Sequence, residues 1–185
     1  QVNANWTDAT GVMTGVRSPA DAFVIFGGNA GTVTVDSVGG TQPVTTQGIQ
    51  FASDGYHLNG DPLGLVAPSV GAYSEVRVGD GSTASAGWTA TIDNTISGNG
   101  LQKTGSGTLV LNGTNTYTQG TQLVAGTLSV STDQNLGDPA NAIDFEGGTL
   151  QVRGTAFTNT PRGIIFGAAG GGFDIADAAN TFTVT

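Results

Sequence analysis

The feature that most constrains the fold is a short motif of small residues before a bulky apolar one, which returns through the second half of the chain. It reads Ser-Gly-Thr-Leu, Ala-Gly-Thr-Leu, Gly-Gly-Thr-Leu and Gly-Gly-Gly-Phe. The apolar residues that end the motif follow one another after 19, 22 and 23 residues and are Leu109, Leu128, Leu150 and Phe173. Antiparallel hairpins give no reason for one tetrapeptide to return at this interval, whereas the stacked turns of a β-solenoid do.

A second series of apolar residues interleaves with the first. Ile143, Ile164 and Phe182 follow one another after 21 and 18 residues. In both series the residue two positions later is also apolar, as Phe145 is after Ile143, so each pair points inward and the residue between faces out. Two series of one period indicate two faces per coil. We therefore predict an all-β chain folded as a right-handed parallel β-helix, a solenoid whose coils of roughly 20 residues stack about 4.8 Å apart.

The same period predicts how the whole chain is organised. It leaves room for on the order of eight or nine coils, and the pattern ends in mid-strand at 181–185 without a polar cap, which favours a fragment of a longer rod. We expect one continuous solenoid, with irregular coils and loop insertions over 1–99 and regular coils over 100–185. The insertions, at about 60–74 and 79–87, interrupt the rhythm. Such loops often carry binding surfaces, but extra loop length costs little entropy, and the favoured reading is that they are merely tolerated.

Composition excludes several classes of partner. Lys and Arg number 5 against 14 Asp and Glu, a net charge of −9 that repels nucleic acid and anionic lipid headgroups. There is no cysteine, so neither a disulfide nor a thiolate metal site can form. No run of 18 apolar residues exists, and we do not expect the isolated segment to insert in a membrane. Nucleic-acid and membrane partners are therefore not predicted.

One stretch of the chain carries a longer and more specific pattern. Residues 100–113 read Gly-Leu-Gln-Lys-Thr-Gly-Ser-Gly-Thr-Leu-Val-Leu-Asn-Gly, and 115–121 read Asn-Thr-Tyr-Thr-Gln-Gly-Thr before Ala-Gly-Thr-Leu. This run resembles the passenger-associated transport repeat of bacterial autotransporters, over about 100–130. Gln119 departs from it, because a glycine is more usual there. Phe-Ala-Ser-Asp-Gly-Tyr at 51–56 is also similar to segments of such passengers.

The resemblance implies a β-helical passenger segment of a type V secreted protein. It implies an extracellular or cell-surface location after export through the outer membrane, an adhesin-like role, and a contribution of the repeat to export. A physical account fits this implication. Coils with few charges and strong strand tendency can fold one after another as they emerge, each completing the backbone hydrogen bonds of the coil before it.

Catalytic chemistry finds little support in the sequence. Parallel β-helices also host polysaccharide-acting enzymes, which need clustered carboxylates. Asp144 and Asp174 occupy outward strand positions but belong to different series, and Asp174 and Asp177 have no basic residue near both. His57 is the single histidine, in an alternating strand where it faces away from Tyr56 and Leu58, so a solvated histidine is the expected reading. We predict no catalytic residue, no metal ligand and no cofactor.

Calcium and aromatic anchors are two further possibilities. Residues 170–174 read Gly-Gly-Gly-Phe-Asp and lack the fourth glycine and the repetition of the calcium-binding nonapeptide. Asp80 lies between two glycines and is typical of a turn. Trp88 alternates with Ile92 and is expected in the core, whereas the sequence does not place Trp6.

These observations lead to two competing functions. The favoured one is a non-enzymatic passenger segment of a surface-displayed autotransporter that supports export and adhesion. Its partner is then a host surface or extracellular-matrix component, or a second rod in self-association of the kind that aggregates cells. The alternative is a polysaccharide-acting enzyme or glycan-binding module on the same fold. A spacer without any partner is a third possibility.

Overall fold

The computed structural model describes residues 22–37 and 43–185, which wind into seven stacked coils. Each coil gives one strand to a first sheet and one to a second, and all neighbouring strands pair in parallel. The first sheet contains Phe23–Phe26 (β1), Gly48–Phe51 (β4), Ser74–Val78 (β7), Leu101–Thr104 (β10), Thr121–Leu123 (β12), Ile143–Phe145 (β14) and Ile164–Phe166 (β17). The second sheet contains Thr32–Val35 (β2), His57–Gly60 (β5), Thr89–Ile92 (β8), Thr108–Leu111 (β11), Thr127–Val130 (β13), Thr149–Val152 (β15) and Gly172–Ile175 (β18). The all-β parallel solenoid is thus confirmed.

A third face closes the coils, where the sequence indicated only two. In coils 1 to 3 it is a parallel sheet of Val44–Thr46 (β3), Leu63–Leu65 (β6) and Ile96–Gly98 (β9). In coils 6 and 7 it is a pair of short strands, Asn159–Thr160 (β16) and Thr183–Val184 (β19). Coils 4 and 5 have no strand there among the described residues. The expectation of two faces was wrong because the third-face strands are too short to show a period in the sequence.

The register confirms the first series of apolar residues and corrects the second. Leu109, Leu128, Leu150 and Phe173 lie side by side across the second sheet. Ile143 pairs with Ile164 in the first sheet, as expected. Phe182, however, directly precedes β19 on the third face and packs edge-on against Phe157 with ring centroids 4.9 Å apart. Its alternation with Val184 imitates a first-sheet strand, which is why the sequence misassigned it.

Coils differ in length because loops enter between some strands. In the first sheet, paired residues are 25 to 27 positions apart through coils 1 to 4 and 20 apart between β10 and β12. The described residues therefore form seven coils, fewer than the eight or nine that a uniform period predicted for the full chain. The expected insertion at 60–74 is partly wrong, since β6 lies within it and Leu63 and Leu65 are buried.

Glycine is required at one turn between the first two sheets, in the Ala-Gly-Thr-Leu copy of the motif. Gly126 has φ of 64°, a left-handed conformation that other residues rarely adopt. A Cβ at this position would lie 2.4 Å from the carbonyl oxygens of Gly105 and Gly107. The coils can therefore stack at this corner only if the residue has no side chain.

The core is a column of inward side chains shared by all three faces. Stacked aromatic pairs lie near both ends of the first sheet. Phe26 stacks on Phe51 with ring centroids 5.4 Å apart, and Phe145 stacks on Phe166 at 5.0 Å. In the second sheet Leu109, which begins the inward pair, is fully buried. Outward residues of the strands are left free for contacts with other molecules. In the described part of the chain no helix has the length and apolar character needed to cross a membrane.

Candidate functional surface

The Asn-Thr-Tyr-Thr motif forms the third face of coil 4 through its buried side chains and through backbone bonds to coil 3. The Ile96 amide donates a 2.8 Å hydrogen bond to Asn115 Oδ1, and Asn115 Nδ2 donates a 2.6 Å bond to the Asn135 carbonyl. Asn135 Nδ2 in turn donates to the Gly113 carbonyl at 2.9 Å. Both asparagines are buried. Amide side chains thus link coils 3, 4 and 5 where the third sheet has ended.

Tyr117 fills the core behind the same motif. Its ring is completely buried, and its hydroxyl shares a 2.7 Å hydrogen bond with the Thr121 hydroxyl. Burial raises the pKa of Tyr117 far above its ordinary value, so the hydroxyl stays neutral. Gly137 passes so close that a Cβ there would lie 2.6 Å from the ring. The motif is therefore a structural unit of the corner, and not a binding site in itself.

Arg162 is a buried cation that fastens coil 7 to coils 5 and 6. Its Nε donates to Asp133 Oδ1 at 2.9 Å and its Nη2 to Asp133 Oδ2 at 3.0 Å, an ion pair with two bonds. The remaining N–H groups reach backbone carbonyls, including those of Asp138 at 2.7 Å and Gly137 at 2.8 Å. Because every donor has an acceptor, the guanidinium can remain charged inside the protein.

The outward surface of the first sheet carries a ladder of polar side chains. Gln102 Nε2 donates to Gln122 Oε1 at 2.6 Å, and Gln122 Nε2 donates to Asp144 Oδ2 at 3.0 Å. Tyr73 lies at the edge of this ladder, where its ring covers Gly100 so closely that a Cβ there would lie 2.5 Å away. Burial raises the pKa of Tyr73, and the negative charge of Asp144 raises it further. Tyr73 is therefore close enough to Asp144, the last residue of the ladder, for the charge of that carboxylate to act on it.

A second ladder runs along the outward surface of the second sheet. Ser129 Oγ donates to Gln151 Oε1 at 2.6 Å, and Gln151 Nε2 donates to Asp174 Oδ2 at 2.7 Å. Asp144 and Asp174 thus cap separate ladders on different faces, as the sequence predicted. Neither is brought close enough to the other to act as an acid–base pair.

His57 faces outward from β5, as expected, but it is not simply solvated. Its Nε2 lies 2.5 Å from Asp93 Oδ2, and the two side chains are 40% and 39% exposed. Asn112 Nδ2 also donates to Asp93, at 2.7 Å, and Arg153 Nη2 donates to Asn112 at 2.8 Å. Burial alone would raise the pKa of Asp93, but the hydrogen bonds from Asn112 and His57 outweigh it and lower the pKa. The group is a polar network across coils 2 to 6.

The exposed tips of the two insertions carry no aromatic residue, and Tyr73 lies at the end of the first insertion, against the first sheet. Val70 is fully exposed at the tip of the first insertion, in a turn that the Ala72 amide closes on the Ser69 carbonyl at 3.1 Å. The second insertion contains a 3₁₀ helix, Thr83–Gly87, and Asp80 accepts a 2.8 Å bond from the Ser82 amide, the expected turn.

The two tryptophans and the possible metal ligands are the remaining groups considered in the sequence. Trp88 is only half-buried against the core, although Ile92 is buried as expected. Trp6 lies outside the described residues. Over the described ranges no three His, Asp or Glu side chains gather where they could hold a metal ion.

Three residues that the structure makes important were not among those singled out in the sequence. Tyr73, Arg162 and Lys103 each owe their role to neighbours one or more coils away. The only hint was chemical, since a single lysine in the inward pattern Leu-Gln-Lys is unusual.

Comparisons with known proteins add to this picture. A family model described as the passenger-associated-transport-repeat matches residues 101–130. Over 165 residues the chain is 46% identical to the adhesin BmaC autotransporter of Brucella suis biovar 1 (strain 1330), an alignment that covers 89% of this chain. The chain spans 4% of the length of that relative. No solved structure gives a significant match.

A parallel β-solenoid that contains this repeat is typical of exported bacterial passenger segments. The chain is similar to the adhesin-like autotransporter passengers. The resemblance inferred from residues 100–130 is confirmed, and so is export through the outer membrane to the bacterial cell surface.

Proposed function

We propose that this segment is a non-enzymatic part of an adhesin passenger, which supports export and presents its outward faces to a host surface or extracellular-matrix component. The observation that carries the proposal is the first-sheet ladder of Gln102, Gln122 and Asp144 with Tyr73 beside it. These side chains lie outside the core, and a rim of amides and a tyrosine is chemistry that protein and glycan partners both use.

Binding of the purified chain to immobilised matrix proteins and to host cells tests this proposal. Tyr73→Ala and Gln122→Ala should each weaken binding severalfold, because they change the outward surface of the first sheet. Gln151→Ala is the matched control on the second sheet and should bind as the unchanged chain does. A chain that binds no host surface, or variants that all bind equally, would contradict the proposed surface.

Self-association of rods is a second use of the same outward surfaces. Sedimentation at increasing protein concentration should then show a dimer that Gln122→Ala or Gln151→Ala weakens, according to the sheet involved.

The contribution to export is tested separately. Deletion of residues 101–130 from the full passenger should reduce the amount displayed on cells without changing adhesion per displayed molecule.

Glycan binding is the second candidate, and Tyr73 is the observation that favours it. An aromatic ring beside amide and carboxylate groups suits the apolar face and hydroxyls of a sugar. An array of neutral and acidic glycans distinguishes this from protein binding. Hydrolysis is tested on the same glycans, since new reducing or unsaturated ends that Asp174→Asn abolishes would establish an enzyme instead.

A further inference from the structure

Lys103 is the only lysine in the chain, and it points into the core of the transport repeat. It belongs to the inward row of the first sheet, where Val76 of coil 3 and Leu123 of coil 5 are its neighbours. The residue is completely buried. Lysine is almost never fully buried, because its ammonium group loses its hydration, so such a position needs a specific arrangement of partners.

Three backbone carbonyl oxygens surround the Lys103 amine. Nζ donates to Thr104 at 2.7 Å, to Gly105 at 2.9 Å and to Ala125 at 3.0 Å. An ammonium group has three protons, and each has one acceptor here. The first two carbonyls belong to the turn that follows β10, whereas Ala125 belongs to the next coil. The site is therefore complete only when coil 5 lies on coil 4.

The surroundings of Lys103 disfavour a positive charge on its amine, although the three carbonyls can accept the protons of an ammonium group. Burial and, to a smaller extent, the guanidinium of Arg77 on β7 together lower the pKa of Lys103 from 10.5 to about 7. The other charged residue of β7 is Glu75, whose carboxylate accepts a hydrogen bond from the Thr104 hydroxyl. The strands β11 and β12 carry no charged residue, and on β14 only Asp144 is charged, on the outward side. No carboxylate is hydrogen-bonded to the amine among the described residues.

We propose that Lys103 makes the junction between coils 4 and 5 sensitive to protons, because the junction encloses a charged ammonium when protonated and a neutral amine when deprotonated. The three carbonyls let the protonated form stay inside the fold. Loss of the proton removes the cost of burying a charge but leaves two N–H donors for three carbonyls. Desolvation is the larger of the two effects, so the fold is more stable when the amine is neutral. This proposal is independent of what the segment binds.

The direction of the effect follows from the two ends of the titration. In the unfolded chain the amine keeps its proton up to about pH 10.4, whereas in the folded chain it loses it near 7. Between these values the unfolded state binds one more proton, so stability rises with pH. The unfolding constant falls by up to about tenfold per pH unit. Below pH 7 both states are protonated, and the contribution of Lys103 no longer changes.

Denaturant unfolding of the whole chain between pH 6 and pH 9 tests the proposal. Lys103→Met keeps the apolar stem and removes the titrating group. The unfolding constant of the unchanged chain should fall with pH from 7 to 9 by up to about a hundredfold more than that of Lys103→Met. Arg153→Met, which removes an outward cation, should follow the unchanged chain. Arg77→Gln should move the onset to higher pH. Equal pH dependence in the unchanged chain and Lys103→Met would overturn the proposal.

Two measurements on the unchanged chain keep the test decisive if Lys103→Met does not fold. Unfolding at pH 8.5 should take up about one proton per chain and unfolding at pH 6 should take up none through this group, as measured by calorimetry in buffers of different ionisation enthalpy. An amine reagent should modify Lys103 at least about a hundredfold more slowly in the folded chain than in denaturant, since opening of the junction must come first. No excess proton uptake at pH 8.5, or equal labelling in both states, contradicts the proposal.

Discussion

The third face of this solenoid is built in two different ways. In coils 1 to 3 it is a parallel sheet, in which β3, β6 and β9 are joined by backbone hydrogen bonds. In coils 4 and 5, which hold the transport repeat, this face has no strand within the described residues, and side chains add to isolated backbone bonds such as that from the Thr116 amide to the Ile96 carbonyl at 2.8 Å. Asn115 and Asn135 supply further donors and acceptors there, and Arg162 reaches coil 5 from the start of coil 7.

This difference explains why one region has a recognisable sequence motif and the other does not. A backbone ladder accepts almost any side chain, so coils 1 to 3 tolerate long insertions: His57 pairs with Thr91 across 34 positions, whereas Thr89 pairs with Thr108 across 19. A corner where buried side chains add to the backbone bonds requires particular residues at particular positions. The transport repeat is constrained in this way at Asn115, whose side chain bridges the coils on either side of it.

The largest expected effect comes from the buried cation of the side-chain region. Arg162→Met should destabilise the chain by about 3–5 kcal/mol, because it leaves Asp133 without its ion pair and several buried carbonyls without donors. Denaturant unfolding measures this loss directly. Arg153→Met is the matched control, since that half-buried arginine on the outward side has a single hydrogen bond, to Asn112, and should cost less than about 1 kcal/mol. Similar losses in both variants would mean that the buried ion pair of Arg162 stabilises the fold no more than the single hydrogen bond of Arg153 does.

The two long sheets could be predicted from the sequence because their strands recur with one period, but the third face could not. Leu63 and Leu65 lie in a three-residue strand behind Pro62, which by sequence resembled a loop. Lys103 and Arg162 could not be placed either, because their partners are mainly backbone carbonyls and those become neighbours only when the coils stack. The outward ladders could not be predicted from the sequence, because which side chains meet depends on the register between coils.

The asparagine link between coils 3, 4 and 5 should be the next most sensitive. Asn115→Ala should cost about 2–3 kcal/mol, because the buried Ile96 amide and Asn135 carbonyl both lose a partner. Thermal and denaturant unfolding would measure it. Asn29→Ala changes an exposed asparagine on a loop of coil 1 and should have little effect. An Asn115→Ala variant as stable as Asn29→Ala would mean that the backbone, and not the side chain, holds this corner.

Removal of one hydroxyl should give a smaller loss in the same region. Tyr117→Phe keeps the buried ring but breaks the bond to Thr121, which should cost about 1 kcal/mol. Tyr73→Phe provides the comparison, because the Tyr73 ring is only half-buried at the surface and its hydroxyl should contribute close to nothing. The difference between the two variants in denaturant midpoint, at unchanged slope, is the measurement.

The smallest expected effect lies in the backbone-linked region and completes the comparison. Ser97 is the outward residue of β9, and its Cα pairs with that of Gly64 in the third sheet. Ser97→Ala should change stability by less than about 0.5 kcal/mol, because the ladder uses main-chain groups that the substitution leaves in place. Unfolding of Ser97→Ala and Asn115→Ala, measured under the same conditions, compares the two regions directly. A loss above about 1.5 kcal/mol at Ser97 would mean that side chains matter as much in coils 1 to 3 as they do in the transport repeat.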